Sequence, residues 1–396
     1  MKVCIVSTYP PQRCGLAHYS RNLARTMASL ESRSPSLMIL GERREWIRNN
    51  SFRDGRVTVE RIWRRRGGGS WILASTRLVC LRPHVVHIQH EYGLFGAWMG
   101  LPCLVFLAVA RFLGSKVVVT LHSVCPSNPR SIRRRLSSFR ARNAVRITNG
   151  GMKLLADLFV CHTETQRRWL IGVHGFEPRA IQLIPHGSNP EAPSNSARSN
   201  QPLLLFFGYI SRRKGIHILL RSMPRIKERV PRARLIVAGT YQNKDGCDYL
   251  GELHDEAERL GLKGSVEFRT SHFTDEELPS LFSEARLLVM PYLELFGGSG
   301  VMREAARFGK PVVASNLENI RCECSPLRDL ILVPPGDPRA LADAIVQLLE
   351  NPRLRRKLGE NLRHLARESS WTEIAERTLK LYSNLVFKPG FPSTRP

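Results

Sequence analysis

The chain has 396 residues, which is too long for one ordinary hydrophobic core and suits two domains. Its 60 Lys and Arg residues outnumber 34 Asp and Glu, a formal charge of +26. No tract is biased or periodic enough to indicate a repetitive, disordered or collagen-like protein. The composition therefore predicts a soluble globular protein.

The positive charge is concentrated in the first half of the chain. Residues 1–200 hold 30 basic and 10 acidic side chains, or +20, whereas residues 201–396 hold 30 and 24, or +6. The densest arginine runs are Arg61, Arg64, Arg65 and Arg66, and then Arg130, Arg133, Arg134, Arg135, Arg140, Arg142 and Arg146. Such runs attract anionic membranes, nucleic acid or phosphorylated substrates. The alternative is an arginine bias without any partner.

The first residues, MKVCIVSTYPP, contain too short an apolar run for a signal peptide and predict a β-strand, so we expect a cytoplasmic protein. The most apolar stretch, 97–113, carries Pro102 and Arg111 and is shorter than the roughly 20 residues that span a bilayer. It predicts a buried or interfacial helix. Nine cysteines, scattered except for Cys322 and Cys324, are typical of a reducing compartment. We assign no metal and no cofactor.

Short β-branched runs alternate with helical patterns along residues 1–190, the first predicted domain. Strands are predicted at 3–9, 37–41, 57–62, 84–90, 116–123 and 157–163, and helices at 16–30 and 95–113. This alternation indicates parallel strands joined by crossover helices. The alternation stops over 186–202, where Pro, Ser and Asn dominate, and we predict an interdomain linker at 191–202.

The alternation restarts in the second predicted domain, residues 203–370. Strands are predicted at 202–209, 233–240, 265–270, 285–292, 310–315 and 330–335, with a helix at 215–230. Two or three helices follow Asp337, and the last, at 371–388, is predicted to return to the first domain. The fold class is α/β, with two Rossmann-like doubly wound domains facing across a cleft, because ligands bind outside the carboxyl ends of parallel strands.

Groups that suit phosphate follow two strands of the second half. Gly208 ends a strand, and Arg212, Arg213 and Lys214 precede a helix, where lysine offers a point charge and arginine a bidentate fork. A solvated basic loop is the alternative.

The loop Gly297, Gly298, Ser299, Gly300 opens a helix that continues through Val301 and Glu304. Unobstructed amides at a helix start bind anions such as a diphosphate. The Glu304 carboxylate, one turn further, suits the vicinal hydroxyls of a ribose. The alternative for Glu304 is an ordinary surface glutamate.

Polar residues also end strands in the first half. Gly15 opens a helix and permits close approach of a ligand, although a turn alone would explain it. His90, Glu91 and His122 follow two strands and are predicted to face a substrate, although single histidines are more often structural. We place His90, Glu91 and Arg134 on the acceptor side.

Together these motifs resemble retaining glycosyltransferases of the GT-B fold, family 4, from Met1 to about Leu385. The resemblance is carried by the glycine loop PPQRCGLAHYS, by His122 in VTLHSV, by Lys214 and Gly215, and by Glu304 with Ala305 in the block EAARFGKPVV. It implies that Lys214 and the Ser299 and Gly300 amides bind the donor diphosphate, that Glu304 binds the ribose, that His122 contacts the donor sugar and that Gly15 lies near the phosphates. It also implies transfer with retention, without a metal, in which the leaving diphosphate takes the acceptor proton.

Two positions depart from the family pattern. The family has two glutamates eight positions apart, but Phe296 stands eight before Glu304 and the nearest acid is Glu294. Either Glu294 takes the catalytic contact with the sugar, or the backbone at Gly297 and Gly298 does. Tyr209 replaces an arginine of the family, a role that Arg212 or Arg213 could fill.

The sequence predicts a metal-independent hexosyltransferase that uses a nucleotide-sugar and a lipid-linked or polysaccharide acceptor. The basic first half suits an anionic acceptor and the inner face of the plasma membrane. Alternatives are a sugar-nucleotide epimerase, a phosphorylase, a relative without catalysis, or a nucleic-acid-binding protein. The last lacks the interleaved aromatics of base recognition, and we expect no specific nucleic acid.

Overall fold

The computed structural model describes residues 1–30, 35–65, 69–92, 94–95, 101–124, 139–189, 201–241, 244–324 and 328–388. Arg134 and most of the predicted linker lie outside these residues. Among the described helices, none has the combination of length and hydropathy that crossing a bilayer requires.

The first sheet is built from eight strands in the order β3-β4-β2-β1-β5-β6-β7-β8. Its strands are β1 Lys2–Ser7, β2 Ser36–Glu42, β3 Ser51–Asp54, β4 Val57–Trp63, β5 Val85–His90, β6 Lys116–Leu121, β7 Leu158–Cys161 and β8 Ile181–Leu183. All neighbours pair in parallel except β3 and β4, which form an antiparallel hairpin. The six predicted strands are confirmed, whereas β3 and β8 were not predicted.

The helices of the first half connect these strands. They are α1 Gly15–Ser29, α2 Gly69–Leu81, α3 Pro102–Phe112, α4 Phe139–Leu155 and α5 Glu164–Gly172. Helix α5 begins with a capping box, in which the Thr163 side chain accepts from Gln166 N–H and the Gln166 side chain accepts from Thr163 N–H. The predicted helix at 95–113 is confirmed over Pro102–Phe112, while α2, α4 and α5 were not predicted.

The second sheet has six parallel strands in the order β11-β10-β9-β12-β13-β14. Its strands are β9 Leu203–Phe207, β10 Arg234–Ala238, β11 Val266–Arg269, β12 Leu287–Met290, β13 Val312–Ser315 and β14 Ile331–Val333. The chain crosses from one side of β9 to the other between β11 and β12. That reversal is the switch point at which ligands bind in open parallel sheets.

The remaining helices are α6 Ile216–Arg229, α7 Lys244–Arg259, α8 Leu278–Glu284, α9 Gly300–Phe308, α10 Glu318–Glu323, α11 Pro338–Glu350, α12 Pro352–Glu368 and α13 Trp371–Phe387. Asp337 and Asn351 cap α11 and α12, and proline occupies the first turn of each, where its missing N–H costs nothing. The tail after Asp337 is therefore three helices.

The chain divides into two units, each with its own hydrophobic core. Unit 1 comprises Met1–Gly187, Phe296–Gly298 and Trp371–Pro396, and unit 2 comprises Ser188–Leu295 and Ser299–Ser370. Helix α13 thus contributes to the core of unit 1, where it packs on α1. The inner strands of both sheets, such as β5 and β12, are buried on two faces, which explains their continuous apolar runs.

Candidate active site

In unit 2, a tight basic turn follows β9. Residues Arg212–Lys214 form one turn of 3₁₀ helix, and Gly215 then takes the left-handed conformation, φ +66°, before α6 begins. A Cβ on Gly215 would lie 1.9 Å from the carbonyl oxygen of Pro291. Only glycine therefore allows this turn to pack against the segment that follows β12.

We expect Gly215→Ala to lower the free energy of unfolding by about 3 kcal/mol, because it adds a backbone clash to left-handed strain. Gly261 is a matched control, with φ +65° and no atom within 4 Å of an added Cβ. Gly261→Ala should cost only about 1 kcal/mol. Urea unfolding of both variants measures the difference, and equal losses would contradict the close packing.

The Lys214 ammonium is buried, with 8% of the residue exposed. Its Nζ lies 3.6 Å from the centre of the Tyr292 ring, in a cation–π contact. Burial, with a smaller contribution from the Arg213 charge, lowers the Lys214 pKa well below its usual value. No carboxylate of the described residues lies within 4.0 Å of this nitrogen. Within the described part of the chain, the Tyr292 ring thus contacts this nitrogen and no carboxylate does.

Arg212 and Arg213, which precede Lys214, make different contacts. Arg212 pairs with Glu252 and lies over the Tyr249 ring at 5.1 Å, within a cavity of about 310 Å³ beside α7. The carbonyl oxygen of Arg213 instead accepts from Leu293 N–H at 2.8 Å. The Arg213 guanidinium is close enough to Lys214 to affect its pKa. Arg213 is therefore the better candidate of the two for a ligand at Lys214.

The start of α9 is already partly occupied by protein groups. The Ser299 side chain caps the helix by accepting from Met302 N–H at 3.2 Å, as expected of serine. The Ser299 N–H donates to Oε1 of Glu323 at 3.0 Å, and Oε2 of Glu323 accepts from Arg303 at 3.1 Å. Sequence reasoning missed Glu323. The Ser299 amide expected to bind the diphosphate is therefore engaged in this structure, which leaves the first-turn amides of Gly300 and Val301.

The end of β9 lies against this helix start. Gly208 has φ +129°, and a Cβ placed on it would lie 3.4 Å from Cγ2 of Val301. A Cβ on Gly239, which follows β10, would meet the Gly208 carbonyl oxygen at 1.9 Å. The ends of β9 and β10 therefore approach more closely than a side chain would allow, and the helix start lies within van der Waals distance of the end of β9.

The Glu304 side chain is 27% exposed, and its Oε2 accepts from Arg307 at 3.2 Å. Burial raises the pKa of this carboxyl, while the Arg307 charge and hydrogen bond lower it. Glu304 is consequently a partly covered acceptor that already pairs with Arg307.

The two candidates for the sugar contact belong to different units. Glu294, in unit 2, is half-buried, and its N–H points to the Arg213 carbonyl oxygen at 3.4 Å. Gly297, grouped with Gly298 in unit 1, is so close to His122 that a Cβ would lie 2.1 Å from the His122 carbonyl oxygen. Gln166 also donates to that oxygen, at 3.3 Å. Gly297 is thus packed closely against the end of β6.

His122 lies at the centre of a buried polar network in unit 1. Burial lowers its pKa well below the usual value, so the ring is neutral and carries one proton. The Nδ1 of His162 lies 2.9 Å from the Ile184 carbonyl oxygen, which can only accept. The Nε2 of His162 lies 3.2 Å from Nδ1 of His122. The Nε2 of His122 donates to the Gln89 side-chain oxygen Oε1 at 2.7 Å, because a carbonyl oxygen can only accept.

The network continues to the other end of the chain. Gln89 contacts His87 at 3.3 Å, and His87 hydrogen-bonds both Thr120, at 2.7 Å, and the Tyr382 hydroxyl of α13. Burial lowers the His87 pKa to about 3, so this histidine is also neutral. Sequence reasoning missed Gln89, His162 and Tyr382. A signal for Gln89 was its position as a polar residue inside the apolar run HVVHIQH, whereas no local pattern links Tyr382 to His87, 295 residues away.

The position of His90 in the structure corrects its prediction as an acceptor-side residue. His90 is fully buried against the rings of Tyr92 and Phe95, and burial lowers its pKa to about 4. Neither of its ring nitrogens has a hydrogen-bond partner in the part of the chain that the structure describes. His90 is a core histidine and we withdraw it as an acceptor contact. Glu91 is exposed, and Arg134 lies outside the described residues.

Gly15 is the first residue of α1, and an added Cβ would meet no atom within 4 Å. Its φ is not positive, so backbone conformation does not require glycine either. Neither turn geometry nor packing within the protein explains the missing side chain.

Two models of known protein families together match most of the chain. The model described as Glycosyltransferase Family 4 matches residues 15–192, and the model described as Glycosyl transferases group 1 matches residues 188–365. A D-inositol 3-phosphate glycosyltransferase of Nocardioides sp. is 30% identical over 249 residues, which cover 57% of this chain and 53% of that protein. The chain therefore spans about half the length of this curated relative.

Solved structures of the same fold cover almost the whole chain. Sucrose-phosphate synthase of Thermosynechococcus elongatus matches with a TM-score of 0.78 and 19% identity, over 97% of this chain and 99% of the other. HepE of Anabaena, solved in complex with UDP-glucose, matches with a TM-score of 0.74 and 17% identity, over 97% and 100%. At these identities the likeness concerns the fold alone.

Proposed function

Since this chain belongs to glycosyltransferase family 4 and has the GT-B fold, we propose that it transfers a hexose from a nucleotide-sugar to a lipid-linked or polysaccharide acceptor. The similarity of the chain to a D-inositol 3-phosphate glycosyltransferase supports glycosyl transfer as the reaction class. Synthesis of envelope or exopolysaccharide glycans is the role that such an acceptor suggests.

The single observation that carries the proposal is the burial of the Lys214 amine with no carboxylate of the described residues in contact with it. A buried ammonium is costly unless an anion accompanies it, and no carboxylate of the described residues fills that role. The diphosphate of a nucleotide-sugar has the required charge. In the proposal it also contacts Arg213 and the first-turn amides of Gly300 and Val301, which favour an anion through their orphan N–H groups and the helix dipole. The structure of HepE with UDP-glucose supports this choice of donor class.

Other residues have proposed roles toward the same donor. Glu304 accepts hydrogen bonds from the ribose hydroxyls, which requires its ionised form, and the Arg307 contact helps to keep it ionised. His122 contacts the donor sugar, and Gly15 leaves room beside the phosphates. The catalytic contact with the sugar comes from Glu294 or from the backbone at Gly297 and Gly298.

The proposed transfer retains the anomeric configuration. The bond from the anomeric carbon to the diphosphate oxygen breaks, the acceptor oxygen bonds to that carbon on the same face, and the acceptor proton passes to the diphosphate. Negative charge on the leaving group is the main quantity to stabilise, and each preorganised donor contributes about 10²–10³ in rate. We propose that Lys214, Arg213 and the helix amides supply this stabilisation without a metal ion.

The donor can be identified by thermal unfolding in the presence of UDP-, GDP- and ADP-sugars. A ligand at a hundredfold excess over its Kd stabilises the native state by about 2.7 kcal/mol, so one nucleotide class should raise the Tm. Release of the free nucleoside diphosphate on addition of acceptor would exclude a phosphorylase, and consumption of donor without release would indicate an epimerase. If no nucleotide-sugar raises the Tm, the proposal fails.

A further inference from the structure

Large exposed apolar side chains are concentrated on three helices of unit 1. Seven of the eleven in the described part of the chain lie on α2, α3 and α4, which together make up a small part of its length. The seven are Ile72, Leu73, Val79, Val105, Phe112, Ile147 and Leu154. Exposed apolar residues scattered singly need no explanation, but such a cluster indicates an interaction surface.

On α2 the exposed positions follow a helical period. Ile72, Leu73, Thr76, Val79 and Cys80 are exposed, whereas Trp71, Ala74, Ser75 and Leu78 are buried. The exposed face of this helix therefore carries no charge. An ordinary surface helix has charged and polar residues on that face.

The exposed face of α3 has the same character. Val105, Ala108 and Phe112 are exposed at the spacing of one helix face, and Phe112 is 91% exposed. Leu154, 76% exposed, and Ile147 extend the apolar surface onto α4.

The three helices lie side by side. Helix α3 contacts both α2 and α4. The Trp71 and Phe106 rings pack edge to face at 6.1 Å, and Gly151 of α4 allows so close an approach to α3 that an added Cβ would lie 2.5 Å from the Leu104 side chain. Since α2, α3 and α4 connect parallel strands in the same direction along the sheet, right-handed crossovers place them on one face of it. We name the seven exposed apolar residues of these helices the apolar face.

The charge around this face selects the kind of partner. On α2 and α3, Arg77 pairs with Glu60, and Arg111 lies 4.0 Å from Asp157. Arg82, at the end of α2, and Arg146, next to Ile147, are exposed beside the apolar positions. A second copy of the chain would bring the exposed arginines of two such faces together, which disfavours self-association. An anionic bilayer offers both apolar depth and opposite charge.

We propose that the apolar face docks unit 1 on an anionic lipid bilayer, with the apolar side chains of α2, α3 and α4 inserted at the interface. This inference rests on the proposed function, in which the acceptor is lipid-linked. Docking would bring the enzyme to that acceptor, although none of its described helices could span the membrane. The docking surface itself is defined by residues that the donor proposal does not use.

Sedimentation with vesicles tests this surface. The intact protein should bind vesicles of phosphatidylcholine with phosphatidylglycerol at low salt, and should bind phosphatidylcholine vesicles far less. Phe112→Ser with Leu154→Ser should weaken binding about tenfold or more, because less apolar area enters the interface. The control is Phe387→Ser, which removes an equally large ring, 67% exposed, from α13. Helix α13 packs on α1, whose connection runs in the opposite direction along the sheet and places it on the other face.

The outcomes separate this inference from the donor proposal. Unchanged binding of the double variant, equal loss in F387S, or equal binding to both vesicle types would overturn the docking surface. A wild-type dimer that the double variant converts to a monomer would assign the face to a second copy instead. The Tm increase with a nucleotide-sugar should be the same in all variants. Its absence in wild type would count against the donor proposal and leave the vesicle result standing.

Discussion

Replacing Lys214 with glutamine is expected to lower the rate of nucleoside diphosphate release by about 10²–10³, because the leaving diphosphate loses its buried cation. The same change should leave the Tm of the ligand-free protein unchanged or higher, since it removes a buried amine that no carboxylate of the described residues contacts. The Tm increase with the nucleotide-sugar should shrink. Loss of function without loss of stability is the result that a merely structural lysine would not give.

Arg212→Gln is the matched control for this variant. Arg212 belongs to the same turn, but its charge is paired with Glu252 and it is directed to α7. Its replacement should change the rate by much less than that of Lys214. A Lys214 variant with wild-type turnover, or an Arg212 variant as impaired as the Lys214 variant, would contradict our assignment of the diphosphate contact.

The lowered pKa of Lys214 has a consequence for donor binding. A bound diphosphate favours the protonated amine and raises its pKa, so binding takes up a proton wherever the empty site is deprotonated. Affinity is therefore full below the Lys214 pKa of the empty site. It falls as the pH rises from that pKa toward the higher pKa of the occupied site.

Gly15→Ala is expected to lower turnover by about 10²-fold while the protein stays fully folded. An added Cβ meets no protein atom within 4 Å, so the folded chain tolerates it, and alanine has the higher helix propensity. The loss would arise because the methyl group displaces the donor from its reactive position, and small displacements of this kind cost about two orders of magnitude. Steady-state kinetics and the Tm measure the two effects.

Gly251→Ala provides the comparison. Gly251 also lies in a helix, α7, and an added Cβ there meets no atom within 4 Å. This variant should match or exceed wild-type stability and keep wild-type turnover. If Gly15→Ala behaves in the same way, no ligand approaches Gly15 and its proposed role is wrong.

Local pattern was sufficient to predict most of the elements. Runs such as PLLLFFGY and ARLLVMPY predict buried parallel strands because both faces are covered, and the loop before Val301 begins a helix because Ser299 caps it. The short strands β3 and β8 escaped prediction. The residues SFRD and IQL have no apolar run of their own and form strands only through their neighbours β4 and β7.

Side-chain partners distant in sequence could not be predicted. The Ser299 amide is bonded to Glu323, 24 residues further on, and no local pattern indicates that pairing. Similarly, Arg212 and Arg213 are adjacent in sequence, but only tertiary structure shows that Arg212 pairs with Glu252. His90 is predicted to face a substrate because it ends a strand, yet all six residues of β5 are buried.

The composition of unit 1 from both ends of the chain bears on how the protein is synthesised. Its core includes Trp371, Ile374 and Tyr382 of α13, and the His87 side chain is hydrogen-bonded to Tyr382. When residues 1–187 have been translated, the core of unit 1 therefore still lacks helix α13. Unit 2 is encoded almost without interruption in between, so it can fold first, and the nascent amino-terminal half must be protected from aggregation until α13 emerges.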